Sequence, residues 1–185
     1  MSKLRAARLF CICCSIAVLL GWVLLYPSAA PAQEKFKMTT TAEGVKSEYT
    51  KQHILEVGDM PGHRIRIHEI HRTYAPDDAR RVKGFLPVER WEWNITDYVN
   101  WSGEHRGYGF TVYENGDKIY DQWEGTTHTT LLPEGGSKGE FWGLGITTGG
   151  TGVFKGIRGN SIYDGIWDRA KGLNEVNTEW EYWFE

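Results

Sequence analysis

The strongest constraint on the fold is a series of strand-like segments separated by turns about every ten residues. From Gln52 onwards, aromatic and β-branched residues alternate with glycine-rich turns, and no stretch keeps the apolar spacing of three and four residues that a long helix needs. This pattern predicts eight or nine short strands and favours a sandwich or a barrel. Because most links are short, we expect a meander, and closing it would remove exposed strand edges.

The segment Arg90–Asn100 alternates apolar and polar side chains, which is typical of a strand with one buried face. Its apolar positions are Trp91, Trp93, Ile95 and Val99, and the positions between them include Glu92, Asn94 and Thr96. Asp97 falls in line with the tryptophans. We therefore expect the apolar face, and Asp97 with it, to point inward.

Asn115-Gly116 is the strongest hairpin signal, because both residues tolerate the positive φ of a two-residue turn. Such a turn would place three cross-strand pairs on one face: Val112 with Ile119, Phe110 with Asp121, and Tyr108 with Trp123. Arg106 would lie on the same face. If this apolar face points inward, Asp121 is a carboxylate inside an aromatic cavity.

Inward carboxylates at Asp121 and Asp97 would be candidates for general acid or base chemistry. Desolvation disfavours the charged form of a carboxylate and so tunes it for proton transfer near neutral pH. Arg106 could instead pair with Asp121 and hold it ionised. A structural explanation also stays open, in which both acids lie at the rims in water or Asp121 is the partner of an arginine or tyrosine.

Residues 1–32 have the features of a signal peptide. Lys3, Arg5 and Arg8 precede the apolar run Leu9–Leu25, and the small residues of Ala30-Pro31-Ala32 mark a cleavage site for signal peptidase. We predict cleavage after this triplet, and hence a secreted or periplasmic protein with no stable membrane insertion. The alternative is an uncleaved anchor, since the run approaches the ~20 residues that span a bilayer.

The chain that remains after cleavage is acidic and free of cysteine. All three cysteines lie in the leader, so neither a disulfide nor thiol chemistry is expected beyond it. Removing the leader takes away three of the 21 lysines and arginines and none of the 24 acidic residues, which leaves a formal charge of −6. This charge disfavours nucleic acid and anionic lipid as partners. We expect residues 33–48 to form a flexible lead-in or a loose first strand, and residues 49–185 to form the β-domain.

A glycine-rich segment lies between two predicted strands. Its glycines permit a tight reversal, and Phe154 is placed to close one end of a barrel. The segment resembles the turn signature of the dirigent and allene oxide cyclase superfamily. The matching residues are Gly149, Gly150, Thr151, Gly152, Phe154 and Gly159, with Arg158 as in the dirigent version.

This resemblance implies a single closed eight-stranded antiparallel β-barrel of calycin-like type. It also implies that the interior holds an apolar small molecule without a cofactor, and that the chain forms a homodimer or homotrimer. The sequence shows no match to the catalytic residues of either plant group, so their reactions are not carried over.

Three functions stay open. The first is an exported barrel that binds a small hydrophobic or aromatic molecule, with the ligand-binding residues Tyr108, Phe110, Trp123, Trp93 and Arg106. The second is a cofactor-free cyclase or isomerase that uses Asp121 and Asp97. The third is a structural protein of the cell envelope, whose cavity would be too small for a ligand. A metal site is not expected, because His68 and His71 would point to opposite faces of one strand and His63 lies at the turn before it.

Overall fold

The computed structural model describes residues 34–41, 45–75, 81–133, 135–168, 170–171 and 173–185. The predicted signal peptide, residues 1–32, and its cleavage site lie outside the described residues. Gln33–Glu185 forms one compact unit. Within the described ranges, no helix is long and apolar enough to cross a membrane.

The described chain is all-β. The strands are β1 (Glu34–Thr41), β2 (Val45–Glu56), β3 (His63–Tyr74), β4 (Pro87–Val99), β5 (Ser102–Tyr113), β6 (Lys118–Leu131), β7 (Ser137–Gly150), β8 (Ile157–Asp168) and β9 (Leu173–Phe184). A short 3-10 turn, Gly152–Phe154, lies between β7 and β8. Residues 33–48, which the sequence left open as a lead-in or a first strand, contain β1 and the start of β2.

The nine strands form one antiparallel sheet in the order β1-β9-β8-β7-β6-β5-β4-β3-β2. β1 and β2 are its two edges, and no hydrogen-bonded ladder joins them in the part of the chain that the structure describes. The prediction of a single closed eight-stranded barrel is therefore wrong, because the sheet has nine strands and is open between β1 and β2. The additional strand, β1, is polar and Thr-rich, and it pairs with β9 from Glu34 to Thr41.

The edge strand β2 carries several charges beside the exposed apolar side chains of Ile54 and Leu55. After Val45, every residue of the strand is exposed, and Lys46, Glu48 and Lys51 carry charge. A register shift between Tyr49 and Lys51 also interrupts the ladder with β3. Charges and bulges on an edge discourage pairing with another sheet, and the part of β2 up to Lys51 has both features.

The sheet curls so that residues from β2 to β9 line one central cavity. Glycines on the inner face make room for large rings on neighbouring strands. A Cβ at Gly107 would overlap the indole of Trp123, and one at Gly143 would overlap the hydroxyl of Tyr163. Inner glycines therefore let these aromatic side chains lie directly against the backbone of the next strand.

The β5–β6 hairpin has a three-residue loop instead of the predicted two-residue loop. The backbone N–H of Gly116 donates to the carbonyl of Tyr113 over 2.8 Å, which makes Glu114 and Asn115 the central turn residues. Gly116 has a φ of +81°, and Asn115 is not among the positive-φ residues. This is a type I turn followed by a glycine bulge.

The extra loop residue shifts the register of the hairpin by one position. Phe110 pairs with Tyr120, Tyr108 with Gln122, and Gly109 with Asp121. The predicted pairing of Phe110 with Asp121 is therefore wrong, as are the pairings of Val112 with Ile119 and Tyr108 with Trp123. Because side chains alternate with a period of two, the shift turns Tyr108 and Phe110 away from the face that carries Asp121.

Strand β4 is also oriented opposite to the expectation. Glu92, Asn94 and Thr96 are buried, whereas Trp93 is 40% exposed. On the outer face, Trp91 stacks on His71 with ring centroids 4.2 Å apart. The polar face of this strand therefore points inward and its tryptophans point outward.

The apolar core lies at one end of the sheet interior, around the glycine-rich turn. Its buried residues are Val82, Tyr113, Ile119, Phe154, Ile157, Trp180 and Tyr182. Phe154 is fully buried, and its ring centroid lies 4.5 Å from that of Tyr113. Thr151 accepts the backbone N–H of Lys118 over 2.8 Å, which ties the turn to the β5–β6 hairpin.

We expect Gly107→Ala to lower the free energy of unfolding by about 1–3 kcal/mol, because its new methyl group overlaps the Trp123 ring. Gly149→Ala is the matched control, since a Cβ there meets nothing closer than 3.5 Å. Urea denaturation of both variants measures the difference. Equal stability of the two variants would contradict the packing of Trp123 against β5.

Candidate functional site

The curled sheet surrounds a cavity of about 780 Å³. Small-molecule sites typically measure roughly 300–1,000 Å³. The aromatic side chains that line it include Tyr98, Trp123, Phe141, Tyr163, Trp167 and Trp180. Charged and polar side chains line the wall formed by β3, β4 and β6. The cavity therefore offers both apolar and polar contacts to a small organic molecule.

Four charged side chains form a chain of ion pairs across β3, β4 and β6, in the order Arg72, Glu92, Arg90 and Asp121. Arg72 Nε lies 3.1 Å from Glu92 Oε1, and Arg90 Nε donates to the same oxygen over 2.8 Å. Arg90 Nη1 then donates to Asp121 Oδ2 over 2.7 Å. The alternating charges balance one another, which is the usual condition for charges inside a protein.

Asp121 lies in the cavity wall, with Arg90 as its partner instead of Arg106. Its second oxygen, Oδ1, accepts the hydroxyl of Thr147 over 3.0 Å, and Thr147 accepts the indole N–H of Trp180 over 2.9 Å. Donors therefore hold both carboxylate oxygens. This arrangement suits a carboxylate that positions its neighbours, and a catalytic role for Asp121 stays a prediction.

The two arginines keep Glu92 ionised despite its burial. Burial alone would raise the pKa of Glu92, but the charges and hydrogen bonds of Arg72 and Arg90 outweigh it and lower this pKa to about 2. Burial likewise opposes the charge on Arg90, whereas Asp121 and Glu92 stabilise it and raise its pKa. Glu92 and Arg90 are therefore both charged at neutral pH.

We expect Glu92 to make the fold sensitive to acid. Its pKa falls from an ordinary 4.5 to about 2 on folding. Its stabilising contribution is therefore complete above pH 4.5 and is lost as the pH falls toward 2. In Glu92→Gln, the free energy of unfolding at pH 7 should drop by about 3–5 kcal/mol, because Arg72 loses its carboxylate partner and Arg90 keeps only Asp121.

Urea denaturation at a series of pH values measures both effects, and Glu92→Gln should flatten the acid limb of the profile. Glu124→Gln, at an exposed position on β6, is the control and should follow the parent chain. A Glu92→Gln profile identical to that of the parent chain would contradict the role of these ion pairs.

Asp97 faces solvent, with its side chain 57% exposed. Its Oδ1 lies 2.7 Å from Nε2 of His63, and Asp59 Oδ1 lies 2.6 Å from Nδ1 of the same ring. These hydrogen bonds, that of Asp97 first, raise the pKa of His63. The expectation of an inward carboxylate at Asp97 is therefore wrong, since this residue belongs to a surface ion-pair cluster.

The predicted ligand-binding residues divide between the two faces of the sheet. Trp123 lines the cavity, and its ring centroid lies 5.1 Å from the guanidinium carbon of Arg90. The outward-facing residues are Trp93, Arg106, Tyr108 and Phe110. Tyr108 is 55% exposed. The inward orientation expected for these four residues is wrong because of the hairpin register and the orientation of β4.

A second polar cluster in the cavity centres on His105, which the sequence did not single out. His105 Nε2 lies 2.8 Å from the hydroxyl of Tyr163, and Nδ1 lies 3.2 Å from the hydroxyl of Thr127. The Thr127 hydroxyl in turn lies 2.7 Å from the hydroxyl of Tyr98. Burial lowers the pKa of His105 and raises the pKa of both tyrosines. A neutral imidazole therefore connects two phenols that keep their protons.

The cationic side chains of β3 were also missed. Arg64, Arg66, His68 and Arg72 recur at even positions, and a period of two places them on one face of a strand. The last three line the cavity. The spacing is visible in the sequence, but it does not show which face of the strand lies inside.

The histidines of β3 lie apart from one another. His63 bonds Asp59 and Asp97, His71 Nε2 lies 2.8 Å from Glu89 on the outer face, and His68 faces the cavity. Across the residues that the structure describes, no three histidine, cysteine or acidic side chains gather in a group that could hold a metal ion.

No protein-family model matches the sequence, and no curated protein matches it. Among solved structures, the chain is similar to the pterocarpan synthase dirigent protein GePTS1, with 12% identity and a TM-score of 0.42, over 87% of this chain and 99% of that one. It is also similar to the pterocarpan synthase dirigent protein PsPTS1, with 10% identity and a TM-score of 0.44, over 86% and 98%. Both of these structures are dirigent proteins, the group whose turn signature the glycine-rich segment resembles. Similarity at this level carries no argument about function.

Proposed function

We propose that the protein binds a small molecule with a hydrophobic or aromatic body in its central cavity. The observation that carries this proposal is the cavity of about 780 Å³ lined by both aromatic rings and converging polar groups. The structural alternative requires a cavity too small for a ligand, and the volume argues against it.

The aromatic wall is well suited to hold such a ligand because neighbouring strands fix its rings. Gly107 and Gly109 leave room for the indole of Trp123, and Gly125 and Gly143 leave room for Tyr163. Rings that are already fixed lose little conformational freedom when a ligand stacks on them. The cavity therefore favours a flat apolar body over a flexible polar one.

Export of the protein is part of this proposal. The basic residues, apolar run and small-residue site within residues 1–32 support it. Sequencing the N-terminus of protein recovered from its host distinguishes a chain that begins at Gln33 from one that keeps its leader.

A cofactor-free isomerase is the second candidate, and the His105 cluster favours it. An isomerisation moves a proton from one carbon atom of the substrate to another. A neutral His105 can accept the first proton, and the phenol of Tyr163, 2.8 Å from the ring, can donate the second. The proton on His105 then returns to Tyr163, so that both groups regain their starting states.

We expect Ser161→Phe to weaken binding of the neutral fluorescent probe N-phenyl-1-naphthylamine at least tenfold, because the new ring occupies the cavity that Ser161 lines. Ile162→Phe is the matched control: the neighbouring side chain points outward, is 61% exposed, and should leave binding unchanged. Fluorescence titration gives both affinities. Thr178→Phe, at another cavity position on β9, repeats the test if the first variant unfolds.

Native mass spectrometry of protein from its own host adds a direct observation of ligand. A retained small molecule that is lost in Ser161→Phe supports the proposal. If the retained molecule incorporates deuterium when it is incubated with the protein in heavy water, the result would favour an isomerase over binding alone. An empty cavity, together with a probe that binds both phenylalanine variants equally, would contradict the proposed function.

A further inference from the structure

Three buried polar atoms on the β3–β4 wall of the cavity have no hydrogen-bond partner among the described residues: Nε of Arg66, Nδ1 of His68 and Nδ2 of Asn94. His68 and Asn94 are direct cross-strand neighbours, and Arg66 precedes His68 by two residues on the same face of β3. A buried donor without a partner loses its hydration and gains nothing in return. The grouping of these atoms on one wall therefore points to a polar group that completes them.

Arg66 differs from the other two arginines of the cavity in its charge balance. Arg72 and Arg90 are neutralised by Glu92 and Asp121. The guanidinium of Arg66 lies 4.8 Å from the ring centroid of Tyr49, and no described carboxylate lies within ion-pair distance of it. The cavity wall therefore carries one uncompensated positive charge beside the two neutral donors.

Arg66 also lies where two hollows adjoin. A second cavity, of about 320 Å³, shares Arg66, Thr96, Tyr98 and Trp101 with the central cavity. The guanidinium of Arg66 therefore lies at the boundary between the two cavities. A ligand that passed from one to the other would meet it.

The neighbouring donors and the aromatic wall are in contact. A Cβ at Gly107 would lie 2.8 Å from Oδ1 of Asn94 and would also overlap the indole of Trp123, so the two side chains are neighbours above this glycine. A group bound at Asn94 therefore lies beside the ring on which an apolar body would stack.

We infer that the ligand carries a carboxylate, which Arg66 binds with the side-chain N–H groups of Asn94 and His68 while the apolar body lies against Trp123. This inference rests on the proposed function and names its substrate class. One guanidinium and two neutral donors match a single negative charge with planar oxygens. A phosphate dianion would leave one charge uncompensated in a buried site.

The state of His68 fits this assignment. Burial and the charge of Arg66 lower the pKa of His68 to about 4. The ring is therefore neutral near pH 7, and its tautomer with the proton on Nδ1 adds a donor without adding charge. A bound carboxylate would favour the protonated ring and raise this pKa.

The test compares naphthalene-2-carboxylate with its neutral isostere naphthalene-2-carboxamide by calorimetric titration of the full chain. We expect the carboxylate to bind at least tenfold more tightly. Arg66→Gln should abolish this preference, because it removes the positive charge that distinguishes the carboxylate from the neutral amide. Arg106→Gln removes the same charge from an exposed outer position and should keep the preference. The His68 ring resonances, followed by NMR, should titrate at higher pH when the carboxylate is bound.

The outcomes separate this inference from the proposed function. Equal affinity for the two probes, or a preference that survives Arg66→Gln, would overturn the carboxylate assignment and leave cavity binding intact. Failure of both naphthalene probes and of N-phenyl-1-naphthylamine to bind the parent chain would overturn both. If Arg66→Gln unfolds, Arg66→Lys keeps the charge but loses the planar fork, and it should weaken the preference without reversing it.

Discussion

The chain of ion pairs from Arg72 through Glu92 and Arg90 to Asp121 is the interaction on which the rest of the structure depends. Ion pairs make it possible for an inner face to carry several charged side chains, since an unpaired buried charge is strongly unfavourable. With these four residues paired, β3 and β4 can point their polar faces inward. The interior then remains open as a lined cavity instead of filling with aliphatic side chains, and the apolar core is confined to the end near Phe154.

Much of the fold can be predicted from the sequence, and the predictions that are wrong have local causes. Alternation and turn spacing predicted an antiparallel meander, and all strands from β2 onward correspond to segments with that pattern. The sequence left β1 open between a lead-in and a loose first strand because the segment is polar and Thr-rich, and the strand becomes definite only through its pairing with β9. The predicted β5–β6 register is wrong because Asn115-Gly116 is compatible with either a two-residue turn or a type I turn with a bulge. The protein adopts the turn with the bulge.

The site was less predictable than the fold, because alternation shows which residues share a face but not which face is inside. Asp121 and Trp123 were placed in the cavity, and both line it. The inward assignment of Asp97 and Trp93 follows the rule that apolar faces are buried, which fails on β4. That of Tyr108 follows from the wrong β5–β6 register. His105 and Tyr163 lie 58 positions apart, and only the curl of the sheet brings them together.

The central claim is that β3 and β4 present their polar faces to the cavity and their apolar faces to solvent. Single cysteines test it most directly, in a chain whose three leader cysteines are replaced by serine. Ile67 is 51% exposed and the adjacent His68 is 7% exposed. We predict that a bulky maleimide reacts quickly with Ile67→Cys and slowly with His68→Cys in the folded chain, and at equal rates with both in urea. Faster labelling of His68→Cys in the folded chain would contradict the account.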